Sequence, residues 1–192
     1  MVFFGVLIWS GVNPTDRFTW FLEVAPALIG LVLLAVTYGS FRLTTILYIL
    51  ILAHCIILMI GGHYTYAEVP FFNNLFGSER NNFDKLGHFF QGFMPALLTR
   101  EILIRKQVVN GKGWRVLFVI SLCLAFSAFY ELIEWWTAMA VGEDAEAFLG
   151  TQGYVWDTQS DMALALLGAV SSLLLLSGVH DKQLNNPALA QR

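Results

Sequence analysis

Successive apolar runs of membrane-crossing length, with few charges inside them, restrict this chain more than any other feature. A helix needs ~20 predominantly apolar residues to cross the hydrocarbon of a bilayer. Runs on that scale fall at residues 21–38, 44–62, 86–103, 116–140 and 158–179, after a shorter one at 1–12. Inside a bilayer every backbone N–H and C=O must be bonded within the protein, so only helices and closed barrels qualify. A membrane barrel is written as ~10-residue stretches of alternating polarity, a pattern absent from this sequence. The expected fold is all-α: a polytopic transmembrane bundle of about six helices, forming a single integral membrane domain over residues 1–192. Charged residues make up only 13% of the chain, about half the fraction usual in a soluble domain. That leaves little material for a separate water-soluble unit.

The first run is too short to span alone. It lacks a basic segment and a small-residue cleavage site, so it makes a poor signal peptide; either the start lies upstream or the helix is partial, and it is counted as a span. Asn13-Pro14-Thr15-Asp16-Arg17 breaks the pattern, and Trp20 sits where interfacial aromatics anchor helices. Glu23 lies near the outer end of the second span. Pro95 falls inside the fourth. Cys55 and Cys123 both lie in apolar runs and read as small packing residues, with no disulfide or paired-cysteine metal site expected. No basic tail or stripe is present, which argues against nucleic acid.

Lys and Arg placement sets orientation in a helical membrane protein. The connection at 100–115 carries Arg100, Arg105, Lys106, Lys112 and Arg115 and is assigned to the cytoplasm. Alternation then puts Arg42, Lys182 and Arg192 on the same side, eight basic residues in all, against Arg17, Arg80 and Lys85 outside. Both termini are expected in the cytoplasm. The loops at 63–83 and 142–156 face outward, the second one acidic through Glu143, Asp144 and Glu146. Trp135, Trp136 and Trp156 read as outer-interface anchors. Gly150-Thr151-Gln152-Gly153 reads as a turn.

Ionisable residues within spans cost ~2.5–3.5 kcal/mol each on insertion scales, so each needs a partner or a purpose. Asp84 and His88 open the fourth span, Glu131 and Glu134 lie in the outer half of the fifth, and Asp157 and Asp161 open the sixth. His63 closes the third. All fall at one membrane face, an agreement not used to fix the orientation. Spacings of three and four place each pair on one helix face, and Gln91 extends the first. Such faces turn away from lipid, which implies one polar pocket open to the outside and lined by spans three to six. His54, mid-span among apolar residues, reads as a packing residue.

Two chemistries suit this inventory. Carboxylates with a histidine are ordinary ligands for Zn, Mn or Mg, and such a cation activates water or holds phosphate. Closely spaced carboxylates also serve metal-free acid–base work or proton movement. No HExxH, GxSxG or phosphate-loop motif chooses between them.

Longer stretches carry a family resemblance. Residues 61–70 (Gly-Gly-His-Tyr-Thr-Tyr-Ala-Glu-Val-Pro), 84–93 (Asp-Lys-Leu-Gly-His-Phe-Phe-Gln-Gly-Phe), 130–135 (Tyr-Glu-Leu-Ile-Glu-Trp), 150–153 and 156–162 resemble the YjdF family of bacterial inner-membrane proteins. The resemblance covers about residues 16–182. It implies a polytopic inner-membrane protein and carries over no catalytic residues. Asp84-Lys85 with His88-Phe89, and Asp161 with Leu167-Gly168, are also similar to VanZ-like proteins, which points toward the cell envelope and its lipid-linked components.

The leading expectation is an envelope enzyme or lipid-binding protein. Asp84, His88 and Asp157 would hold a divalent metal, while Glu131, Glu134 and Asp161 would do the catalytic work. The substrate would be a membrane lipid or lipid-linked head group. A small proton-coupled carrier, and a non-catalytic assembly or stress-response subunit whose buried charges fix helix register, are the alternatives.

Overall fold

A computed structural model describes residues 1–73, 80–142, 146–149 and 151–186. Glu143, Asp144, Gly150 and Arg192, used above, lie outside the described residues. Among those residues the secondary structure is helical: α1 (Val2–Gly11), α2 (Arg17–Thr37), α3 (Thr45–His63), α4 (Phe83–Arg105), α5 (Lys112–Val141), the single turn α6 (Glu146–Leu149) and α7 (Asp157–Leu184). The fold is an all-α membrane bundle. Helices α2, α3, α5 and α7 are long and apolar enough to cross a bilayer.

The fourth run behaves differently. At 23 residues, α4 is ~35 Å long at 1.5 Å per residue, but it carries too many polar groups to face lipid. It packs instead against α3, α5 and α7 and buries Asp84, His88, Arg100 and Glu101. The tightest seam joins α4 to α7. A Cβ on Gly92 would lie 1.8 Å from the Ala165 carbonyl oxygen, and one on Gly168 would lie 2.0 Å from that of Phe89. Backbone meets backbone there, the small-residue packing by which membrane helices approach closely.

Helix α1 has ten residues, ~15 Å, half a bilayer's depth. Its Phe3, Val6 and Leu7 pack on Val24, Cys55 and Met59. It is clasped at its C-terminal end, where Trp20 Nε1 donates to Ser10 Oγ (3.1 Å) and the Ser10 carbonyl lies 2.9 Å from His63 Nδ1. The Asp16 carboxylate caps α2 by accepting from the Thr19 N–H at 2.6 Å, the usual service of an Asp at that position. Helix α2 leans on α3 and leaves an opening toward α4 and α5.

Candidate functional site

His88 stands at the centre of the buried polar residues. It lies on the second turn of α4, one turn after Asp84, so their side chains share a face. Its Nε2 is 3.2 Å from Asp84 Oδ1 and 3.8 Å from Asp161 Oδ2 on α7. Its Nδ1 is 3.1 Å from Gln91 Oε1, one turn further along α4. Both ring nitrogens thus face acceptors. That arrangement suits an imidazolium, or an imidazole whose Nδ1–H is fixed by Gln91 while Nε2 is offered to a cation.

Two ligand sets meet on this ring. Asp84, His88 and Asp161 each offer an atom within 4.8 Å of the others, and so do His88, Glu131 and Glu134. Glu131 accepts from Thr158 through one oxygen, while its Oε1 is buried with no hydrogen-bond partner. An unpartnered buried carboxylate oxygen beside an imidazole is a feature that a bound cation would satisfy.

Arg80 organises the rim. It donates to Asp84 Oδ2 at 2.8 Å and forms a second ion pair with Asp157. The loops are stapled above it by Asn81, which is 1% exposed. Asn81 Nδ2 donates to the Val69 carbonyl (2.8 Å), and its backbone exchanges hydrogen bonds with the Gln152 amide at 2.8 and 3.1 Å. The turn at 151–153 therefore ties the approach to α7 onto the start of α4.

The third side is made by Glu23, 5% exposed on α2. It accepts from Tyr130 Oη at 3.4 Å and also from Tyr66. Tyr66 reaches it through a strained turn: Thr65 and Tyr66 hold φ of 53° and 56°, a cost of order 1–3 kcal/mol each. The turn folds the ring onto Gly61, where a Cβ would sit 2.2 Å from it. Burial and the adjacent Glu23 carboxyl hold the Tyr66 phenol well above its ordinary range, so it remains a donor.

Of these groups, Glu23, Tyr66, Asp84, His88, Gln91, Tyr130 and Glu134 line a cavity of about 210 Å³ between α2, α3, α4, α5 and α6. Its wall includes Pro26 of α2 and Phe126 and Phe129 of α5, and the two phenylalanines are 58% and 51% exposed. The mouth therefore opens sideways, through apolar side chains, at membrane depth. Six carboxylates (Glu23, Asp84, Glu131, Glu134, Asp157 and Asp161) gather near Arg80 and His88. That excess of negative charge requires protons or a bound cation.

All six sequence-selected residues come to one end of the bundle, but their neighbours sort them anew. Asp161 lies in the group around His88. Asp157 is held by Arg80 and lies outside both ligand sets. His54 lines the cavity, whereas His63 is engaged with α1. Sequence reasoning left Arg80, Tyr66 and Tyr130 out of the site. Arg80 was detectable as the i−4 partner of Asp84; the tyrosines gave no signal beyond interfacial position.

A second polar cluster lies at the opposite end of the bundle. Glu101 and His180 are both 0% exposed. Glu101 accepts from Thr44 Oγ1 (2.8 Å), from Arg105 (2.7 Å) and from His180 Nε2 (3.0 Å). Arg100 lies 3.0 Å from His180 Nδ1 and 2.6 Å from Asp181 Oδ1. Because guanidinium only donates, His180 Nδ1 accepts and Nε2 carries the proton. Every member has partners, so this cluster is a clasp between α3, α4 and α7.

The sequence profile of a family described as "Predicted membrane protein (DUF2238)" matches residues 1–182. The inner membrane protein YjdF of Escherichia coli (strain K12) is 50% identical over 182 residues, 93% of this chain and 87% of the relative. No solved structure matches the chain. The shorter VanZ-like similarity gains no support from these matches.

Proposed function

The chain belongs to the DUF2238 family of predicted membrane proteins, and from that premise we propose a multi-pass inner-membrane protein that binds a divalent cation at His88 and, through it, the polar head group of a lipid. The inner-membrane placement follows the relative's description; both termini are assigned to the cytoplasm from the basic residues. The observation that carries the proposal is the convergence of the Asp84/Asp161 and Glu131/Glu134 carboxylates on His88, with one Glu131 oxygen left unpartnered. Asp84, His88 and Asp161 hold the cation. Glu131 and Glu134 complete its shell or take a proton from an attacking water. Arg80 and Asp157 fix the rim.

The sideways mouth between Pro26, Phe126 and Phe129 supports a substrate delivered from the bilayer. A proton-coupled carrier is disfavoured because the space beyond Pro95 is walled almost wholly by apolar side chains and the Glu101–His180 cluster is buried and bonded to its own partners. The test is the elemental content of detergent-purified protein, wild type beside His88→Ala. Near-stoichiometric divalent metal in the wild type, lost in the variant, is the expected result. No metal in either protein would sink the proposal and leave the carboxylates as a charge network that fixes helix register.

A further inference from the structure

A second cavity of about 360 Å³, walled almost wholly by apolar side chains, lies further along the same helices as the polar one, with no lining residue in common. On α2 the wall passes from Glu23 and Pro26 to Gly30, Leu34 and Thr37. On α4 it passes from His88, Gln91 and Pro95 to Leu98, Ile102 and Lys106. Steps of three and four keep one face of each helix turned to the opening. On α3, Leu58 and His54 give way to Ile51. The same faces of three helices thus line both cavities, which set end to end make one trough, charged at the His88 end and apolar beyond it.

Its length suits a hydrocarbon chain. From His88 to Ile102 the α4 axis advances ~21 Å, against ~15 Å for the hydrocarbon of one leaflet. Gly30, in mid-helix, has no packing neighbour: a Cβ there would meet nothing within 4 Å. Glycine in mid-helix is destabilising relative to alanine, and here it leaves the trough wide. A soluble metabolite or peptide would leave its polar groups unmatched along this wall.

We infer that the trough holds the long hydrocarbon chain of the lipid whose polar head sits at His88. The inference rests on the reading given under Proposed function and adds the substrate's class: a long-chain amphiphile drawn from the bilayer, bound head-first toward α5 and α7 with its chain between α2 and α4.

The probe is phosphatidylglycerol bearing a diazirine either beside the head group or at the end of one acyl chain, incorporated with the protein in nanodiscs. After illumination, mass spectrometry maps the crosslinks, and metal is measured on the same samples. The head-proximal label should fall near Pro26 and Leu58, and the terminal label near Leu34 and Ile102. Gly30→Trp should lower terminal labelling of Ile102 by at least about tenfold with metal content unchanged. Labels no denser in the trough than at the outward-facing Val32, Leu174 and Leu175 would overturn the inference. So would the reverse order, which puts the head group at Lys106. Should Gly30→Trp not accumulate, the wild-type order decides alone. Disordered labelling with metal retained overturns only the trough, whereas absent metal overturns the site itself.

Discussion

His88 is constrained on both sides of its ring, and that makes Gln91 a positioning residue with a measurable effect. The 3.1 Å contact from Nδ1 to Gln91 Oε1 orients Nε2 toward Asp84 and Asp161. Partners of this kind are worth about 10–100-fold in metal affinity. Gln91→Ala should weaken divalent-metal binding by that factor, while Gln91→Glu, which keeps an acceptor, retains most of it; competition titration with a chelating dye measures both. The glutamates do different work. Glu131→Gln or Glu134→Gln should lower any lipid-hydrolase activity by about 10²–10⁴-fold, the usual contribution of a positioned base, with membrane insertion unchanged. Full activity in both variants would remove them from the chemistry.

Elements matter here through how closely they approach. Helices α4 and α7 carry most of the polar residues of both clusters, and the two glycines of their seam set the register in which those residues meet. Gly92→Ala or Gly168→Ala has no flexible side chain to push aside, only the Ala165 and Phe89 backbone. Each should cost at least about 1–3 kcal/mol, the scale of core overpacking, and lower the melting temperature in detergent. Gly178→Ala, which meets nothing within 4 Å, should stay close to wild type. Equal melting of all three would mean the seam is looser than described.

At the scale of the whole molecule the two polar ends differ in kind. The His88 end has more acids than partners, an open mouth and an unsatisfied oxygen. The Glu101–His180 end is closed and fully bonded. Orientation decides which compartment each end serves. Cysteine introduced at the exposed Glu68 should react with a membrane-impermeant maleimide in intact cells, and one at the exposed Ser40 should not; the native Cys55 and Cys123 are buried. The opposite labelling would invert the assignment and put the acidic pocket on the cytoplasmic side.

The sequence by itself determined the medium, the helices and the end of the bundle where the acids collect. Those follow from local properties: apolar run length, the cost of a charge in hydrocarbon, and the three- and four-residue spacing of Asp84/His88, Glu131/Glu134 and Asp157/Asp161. Partnership was not legible, because it depends on which helices touch. Only the tertiary structure placed Asp161 beside His88 and gave Asp157 to Arg80, since α7 presents both aspartates on one face and its register against α4 decides between them. It likewise paired Glu101 on α4 with His180 on α7, residues 79 apart in the chain. The close Gly92 and Gly168 contacts that set that register are a property of two helices together, and neither helix encodes it alone.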